Sequence, residues 1–350
     1  MTNPSRVIDL LARPLGVLRL SLTARCNLAC PYCCPESIEP PGLLSTRDQL
    51  RLIHAACQLG AHTLRLTGGE PLLTDRLWPL LDALSLGRQT ASHPFSRLKE
   101  VAITTNGSLL DHEKAKRLRV AGVDRITISL DAVEGASIAR MAGLHSGLEA
   151  GNALLERVLA GIDAARVAGY NPAQGCLKLN AVIQRGQNDD QLIPLARLAR
   201  QLGLQLRLIE YMDVGNRNGW CLDQVMPAKE MIQLLHSHWP LQPIGRPVSG
   251  TSRQWSYSDG GGTVGTIASI SEPFCSDCNR LRITADGHAF TCLFASEGID
   301  LRHWLREDVS DSVLQNALRE LWSVRSDRFS EERGLKQSAN HHAEMAYLGG

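Results

Sequence analysis

Four cysteines crowd into "CNLACPYCCPE" (26–36), and three more follow in "FCSDCNRLRITADGHAFTCLF" (274–294). In the first group Cys26, Cys30 and Cys33 have the spacing C-x3-C-x2-C; in the second, Cys275, Cys278 and Cys292 follow C-x2-C-x13-C. Thiolates presented from loops converge readily on a metal, and iron–sulfur clusters normally take four of them. A group supplying only three would leave one iron open to a small molecule. Residue types alone keep two alternatives open. Cys34 permits a C-x3-C-x3-C reading, and zinc would accept three thiolates with His54 in the first group or His288 in the second. Arg280 and Arg282, in "NRLR" just after Cys278, suit an anion held beside the metal or, alternatively, a solvated strand face. Cys57, Cys176 and Cys221 stand alone and read as small buried apolar residues.

The 350 residues are enough for two domains, or for one large barrel with an addition. Hydrophobic residues make up 43% and charged residues 21%, the composition of a globular enzyme. A net charge of +1 and only 5% aromatics count against a nucleic-acid binder, although local basic pockets stay possible. The opening "MTNPSRVIDLLARPLGVLRLSL" lacks a signal-peptide core, and no apolar run is long enough for a membrane helix. The expected address is the cytoplasm, with no membrane association. In that reducing setting ten cysteines point to metal or catalytic use rather than to disulfides.

Short β-branched and apolar runs recur at 16–23, 62–69, 99–107, 124–131, 176–183 and 204–212. Between them lie helical patterns such as "TRDQLRLIHAACQLGA" and "DDQLIPLARLARQLG", several ending on a glycine suited to a helix C-terminus. Six strand–helix units predict an α/β fold, a partial (β/α)6 barrel, with a doubly wound sheet as the competitor. The polar stretches "TARCN", "TGGEP", "TTNG", "SLD" and "EYMDVG" fall at strand ends, the end that carries active sites in βα barrels. After about residue 225 the sequence turns mixed and turn-rich, so residues 1–225 are assigned to the barrel and 226–350 to a smaller second domain.

The series "LRLSLTARCNLACPYC", "LRLTGGEPLL", "TTNGSLL", "RITISLDA", "GQNDDQL", "IEYMDVGNRNGW", "PFCSDCNRLRITADG", "CLF" and the terminal "GG" resembles the GTP 3′,8-cyclase family of the radical S-adenosylmethionine superfamily, over nearly the whole chain and in the family's order. Cys34 stands where that family usually has Met, and 141–158 is a poor match.

The resemblance implies a barrel closed by the C-terminal domain, a [4Fe–4S] cluster at each end of a channel, and S-adenosylmethionine as cofactor. Cys26, Cys30 and Cys33 would ligate the first cluster, and Cys275, Cys278 and Cys292 the second. Tyr32, Gly69, Ser129 and Met212 would contact S-adenosylmethionine, with Gly69 letting the backbone approach its methionine end. Arg19, Arg65, Thr104, Lys178, Arg280 and Arg282 would contact GTP, while Gly349 and Gly350 would enter the active site. The implied reaction takes the ribose 3′ hydrogen of GTP and joins C3′ to C8 of guanine, the first step of molybdenum cofactor biosynthesis. Implied partners are an external one-electron donor and, downstream, cyclic pyranopterin monophosphate synthase; the chain would be a monomer or homodimer. A radical enzyme acting on a peptide is the main competing function, although such enzymes bring more C-terminal cysteines.

Overall fold

The runs "VLRLS", "TLRLT" and "QLRLIE" place leucines on one strand face and an arginine on the other, because side chains alternate along a strand. The computed structural model, which describes residues 6–333 and 342–349, folds these runs as β1 (Val17–Ser21), β2 (Thr63–Thr67) and β6 (Gln205–Glu210). Between them lie β3 (Glu100–Thr105), β4 (Arg125–Ser129) and β5 (Leu177–Ile183). All six pair in parallel in chain order, so each junction needs a crossover. The strand leucines Leu18, Leu20, Leu64, Leu66, Leu206 and Leu208 are buried in one core with Leu52, Ile53, Leu80 and Leu118 of the crossover helices. The opposite faces, with their arginines, line the barrel interior.

Local signals fix where the helices begin and end. Helix Thr46–Gln58 starts at a capping box, in which the Ser45 hydroxyl accepts from the Asp48 amide and the Asp48 carboxylate accepts from Ser45. Helices His112–Val120 and Leu192–Gln201 are each followed by a left-handed glycine, Gly122 (φ +80°) and Gly203 (φ +64°).

The C-terminal segment adds β7 (Leu241–Gly245), β8 (Arg253–Tyr257), β9 (Thr263–Ile267), β10 (Arg280–Ile283), β11 (His288–Phe290) and β12 (Ile299–Asp300). β10 joins β1 in parallel and β9 joins β6 in parallel, giving one sheet in the order β12-β11-β10-β1-β2-β3-β4-β5-β6-β9-β8-β7. The strands thus form a partial barrel with an open sheet, and the C-terminal segment extends both of its edges. A doubly wound sheet would reverse strand order at a switch point, and β1 to β6 show no reversal. A smaller apolar cluster of Val214, Phe290, Phe294, Met345 and Leu348 sits apart from the main core. No described helix is long and apolar enough to cross a membrane.

Candidate active site

The first cysteine loop leaves β1 and folds over the C-terminal ends of the strands. Cys26, Cys30 and Cys33 all line one continuous cavity there. Cys34 does not: it adopts φ +48° and turns its thiol toward the Pro31 carbonyl at 3.1 Å, away from the other three. The poorly matching segment 141–158 braces this loop. The Ala29 amide donates to the Ala142 carbonyl (3.0 Å), and a side chain at Gly143 (φ +66°) would strike the Ala29 backbone. Met141, Ala142, Leu154 and Val158 form part of the cavity wall.

Burial raises the thiols of Cys26, Cys30 and Cys33 above their ordinary range, and none of the three is in a disulfide. Three buried thiols that ionise only at a cost are stabilised as thiolates by a cationic group, which is what an iron cluster provides. The donor set fits an iron–sulfur cluster.

Around this loop the "TGGEP" turn is fixed by Glu70, a fully buried carboxylate pushed up to about 7 by burial. It accepts from the amides of Leu72 (3.0 Å) and Asn106 (2.8 Å) and from the Thr105 hydroxyl (2.8 Å). Glu70 therefore serves the turn and is no partner for the barrel arginines. Tyr32 donates to Asp131 (2.6 Å), and Asp131, raised by burial to about 6, also accepts from the Val182 amide. Tyr32, Gly69, Ser129 and Met212 all line the cavity. At Gly69 the structure supplies a reason of its own for glycine: a Cβ would overlap the Arg25 carbonyl.

The cavity floor is strongly basic. Strand register places Arg282 of β10 beside Arg19 of β1, and Arg19 beside Arg65 of β2. Arg207 of β6 lines the same space and donates to Thr127 (3.2 Å), while Arg65 donates to Thr104 (3.2 Å). Thr105 instead belongs to the Glu70 network, which separates it from Thr104 in role. Burial, then neighbouring arginines, hold Arg19 and Arg65 well below the usual guanidinium range, Arg207 near about 9 and Arg282 near about 10. The Nε atoms of Arg65, Arg207 and Arg282 are buried without a hydrogen-bond partner. Like charges set side by side on adjacent strands destabilise a sheet, and buried unpaired charge destabilises it further. An anion drawn into the cavity relieves both.

The second cysteine group closes the far side. Cys275, Cys278 and Cys292 line the cavity with Arg280 and Arg282. Burial raises Cys292 to about 11; burial acts on Cys278 too, but Arg280 and Arg325 outweigh it and bring that thiol down to about 6. A buried network from the start of the chain holds this loop. Asp9 pairs with Arg13 (2.6 Å) and Arg325 (3.2 Å); Arg13 donates to the Cys275 carbonyl and Arg325 to the Cys278 carbonyl, each at 2.8 Å.

Two further placements bear on the sequence reading. Lys178 on β5 is not among the cavity-lining residues; it shares a strand face with Asn180 and Val182, which are, but stands nearer the start of β5 beside Arg207, Arg125 and Glu100, lowered to about 8 by burial. Gly349 is buried inside the barrel mouth, its carbonyl accepting from Arg19 (2.6 Å) beside Thr67 and Gly68. Gly350 lies outside the described residues. Arg207 was not singled out in the sequence, although the same leucine–arginine–leucine pattern that marks Arg19 and Arg65 surrounds it.

A partial barrel with a three-cysteine loop after β1 and a glycine-rich turn after β2 defines a class. Residues 20–199 match the family described as "Radical SAM superfamily", and the chain belongs to it. Two solved structures share the fold: Streptococcus suis SuiB, with a TM-score of 0.59 at 14% identity over 94% of this chain and 70% of that one, and native anSMEcpe with bound AdoMet, with 0.54 at 15% over 95% and 94%. Residues 204–331 match "Molybdenum Cofactor Synthesis C". Two relatives named GTP 3′,8-cyclase, from Synechococcus sp. strains CC9902 and WH7803, are each 64% identical, over 100% and 98% of both chains. One from Acidothermus cellulolyticus is 44% identical over 96% of this chain and 90% of its own. Within the superfamily the chain thus belongs to the GTP 3′,8-cyclase family.

Proposed function

We propose that this chain is a GTP 3′,8-cyclase, forming (8S)-3′,8-cyclo-7,8-dihydroguanosine 5′-triphosphate at the start of molybdenum cofactor biosynthesis. One observation carries the reading: a row of arginines on adjacent strands and two three-cysteine groups line a single cavity. Membership of the superfamily implies a [4Fe–4S] cluster and S-adenosylmethionine. When bound and reduced, they supply a 5′-deoxyadenosyl radical able to take the ribose 3′ hydrogen. Cys26, Cys30 and Cys33 would hold that cluster, with Tyr32, Gly69, Ser129 and Met212 around S-adenosylmethionine. Cys275, Cys278 and Cys292 would hold a second [4Fe–4S] cluster that receives the guanine base.

The residues between the two groups bind and orient. Arg19, Arg65, Arg280 and Arg282 hold the triphosphate through charge-assisted hydrogen bonds, with Thr104 orienting Arg65. Arg207 joins them, and Lys178 adds charge from nearer the start of β5. Anchored in this way, the ribose is held at a fixed distance from the radical source, where positioning controls which C–H bond reacts. The apolar wall of Leu130, Ile138, Met141, Leu154 and Val158 excludes water from the same space. Gly349, held by Arg19, enters from the C-terminus, where a chain without side chains fits beside the substrate, and Gly350 would act with it.

Residues 1–225 form the radical-generating part, and 226–350 supply the second cluster and substrate contacts. The chain works in the cytoplasm as a monomer or homodimer, without nucleic acid or membrane. It takes single electrons from an external donor and passes its product to cyclic pyranopterin monophosphate synthase.

Anaerobic reconstitution with iron and sulfide analysis tests the cofactor content: about eight irons per chain fit two clusters, and zinc in either group contradicts them. Calorimetry tests the basic floor. Arg207→Ala and Arg282→Ala should each weaken GTP binding by about 2 kcal/mol, roughly thirtyfold, with S-adenosylmethionine affinity unchanged. Equal GTP affinity in both variants would mean that the arginines face no ligand. Removing the last two residues should leave folding, iron content and GTP binding intact and lower turnover by at least about tenfold. A fully active truncation would reduce the tail to a frayed end.

A further inference from the structure

The stretch "YMDVGNRNGW" (211–220) contributes Met212 to the cavity, but its other residues have no part in the chemistry above. They form a rigid loop. The Tyr211 hydroxyl donates to the Asn218 carbonyl (3.0 Å), the Trp220 indole to the Tyr211 carbonyl (3.1 Å), and the Asn218 amide group to the Val214 carbonyl (3.0 Å). What projects from this platform reaches a segment more than 120 residues away. The Asn216 side chain donates to the His342 carbonyl (2.7 Å) and accepts from the His342 amide (3.0 Å), while its backbone amide donates to Glu344 (3.1 Å). Arg217 pairs with Glu344 (3.2 Å) and, on its other side, donates to the Cys34 carbonyl (2.7 Å) and Glu36 (2.6 Å).

We infer that the loop Tyr211–Trp220 is a clasp for the chain's C-terminal tail, in which Asn216 and Arg217 are positioning residues that tie the tail to the first cysteine loop. The inference rests on the reading that the tail works inside the active site. Arg217 is half exposed, and a lone surface ion pair contributes little. Its contribution is geometric: one planar fork reaches the residue next to Cys33 and the carboxylate five residues before Gly349. Gly215 completes the fit. It has φ +87°, and a Cβ there would overlap the Glu344 carboxylate.

Beyond Glu344 the tail is tied to the hairpin between Cys278 and Cys292 as well. Tyr347 donates to Asp286 (3.0 Å) and lies 3.2 Å from the His288 ring nitrogen, both at the turn from β10 into β11. Met345 and Leu348 are buried in the small apolar cluster, which packs against both Cys33 and Cys292. The tail is therefore a bridge between the two cysteine groups, and the clasp sets where its last residues stand.

The test is hydrogen exchange at the amides of residues 342–349 in the full-length protein, measured beside iron content, kcat and KM for GTP. Arg217→Ala removes the fork; Gly215→Ala leaves every charge in place but displaces Glu344. In both variants exchange at His342, Leu348 and Gly349 should rise at least about tenfold, with iron content unchanged. A fall in kcat of about fivefold with KM within about twofold should accompany it, and Arg217→Lys should restore only part of the protection. Wild-type protection of the tail in both variants would overturn the clasp, as would equal iron loss in both. Raised exchange with wild-type kcat would support the clasp and overturn instead the reading that the tail acts in catalysis.

Discussion

Cys33→Ala should abolish GTP cyclisation and remove about half of the bound iron, whereas Cys34→Ala should keep both clusters and most of the activity. The two residues are neighbours, and spacing alone permits either. Backbone conformation separates them: at Cys34 the chain turns to φ +48°, which sends its thiol to the Pro31 carbonyl, while Cys33 faces the cavity with Cys26 and Cys30. Without Cys33 only Cys26 and Cys30 of the loop still face the cavity, too few to retain a cluster that leaves one iron open. Iron analysis and product formation on the two purified variants decide it. Half the iron missing from Cys34→Ala, with Cys33→Ala intact, would reverse the assignment.

Cys278→Ser should eliminate the cyclised product and still cleave S-adenosylmethionine without coupling to GTP. Its thiol lies in the second group, where burial is outweighed by Arg280 and Arg325 and the thiolate is stabilised near neutral pH. That group lines the cavity beside Arg280 and Arg282, and it shares no residue with the loop after β1. Loss of the second group should therefore free the ribose from its fixed position rather than stop radical formation. The measurement is 5′-deoxyadenosine released against GTP consumed. Normal cyclisation would remove the second cluster from the substrate site; absence of any 5′-deoxyadenosine would place it in radical formation.

The barrel was legible in the sequence because its strands carry a strict two-residue alternation. The runs at 16–23, 62–69 and 204–212 put leucine against the helices and arginine into the lumen, and all six expected strands form. The polar motifs were legible for a related reason: they stand at the strand ends that share one face. Arg207 carries the same alternation in "LQLRLIE", but no cysteine or glycine motif adjoins it to mark it as a site residue. Other features depend on contacts that no local pattern announces. The Asp9–Arg13–Arg325 network joins residues more than 300 positions apart beneath the second cysteine loop. Segment 141–158 braces the first loop through Ala142 and Gly143, contacts made by backbone shape more than by side-chain type. Whether Lys178 reaches the cavity depends on how far along β5 it stands, and strand periodicity gives its face but not its depth.

The most direct test of the account uses GTP deuterated at ribose C3′. The reconstituted protein is incubated anaerobically with this substrate, S-adenosylmethionine and a one-electron reductant, and the products are analysed by mass spectrometry. A cavity that holds GTP between the two cysteine groups predicts deuterium in 5′-deoxyadenosine, matched by a 3′,8-cyclised guanosine triphosphate. Unlabelled 5′-deoxyadenosine with GTP unchanged would contradict it.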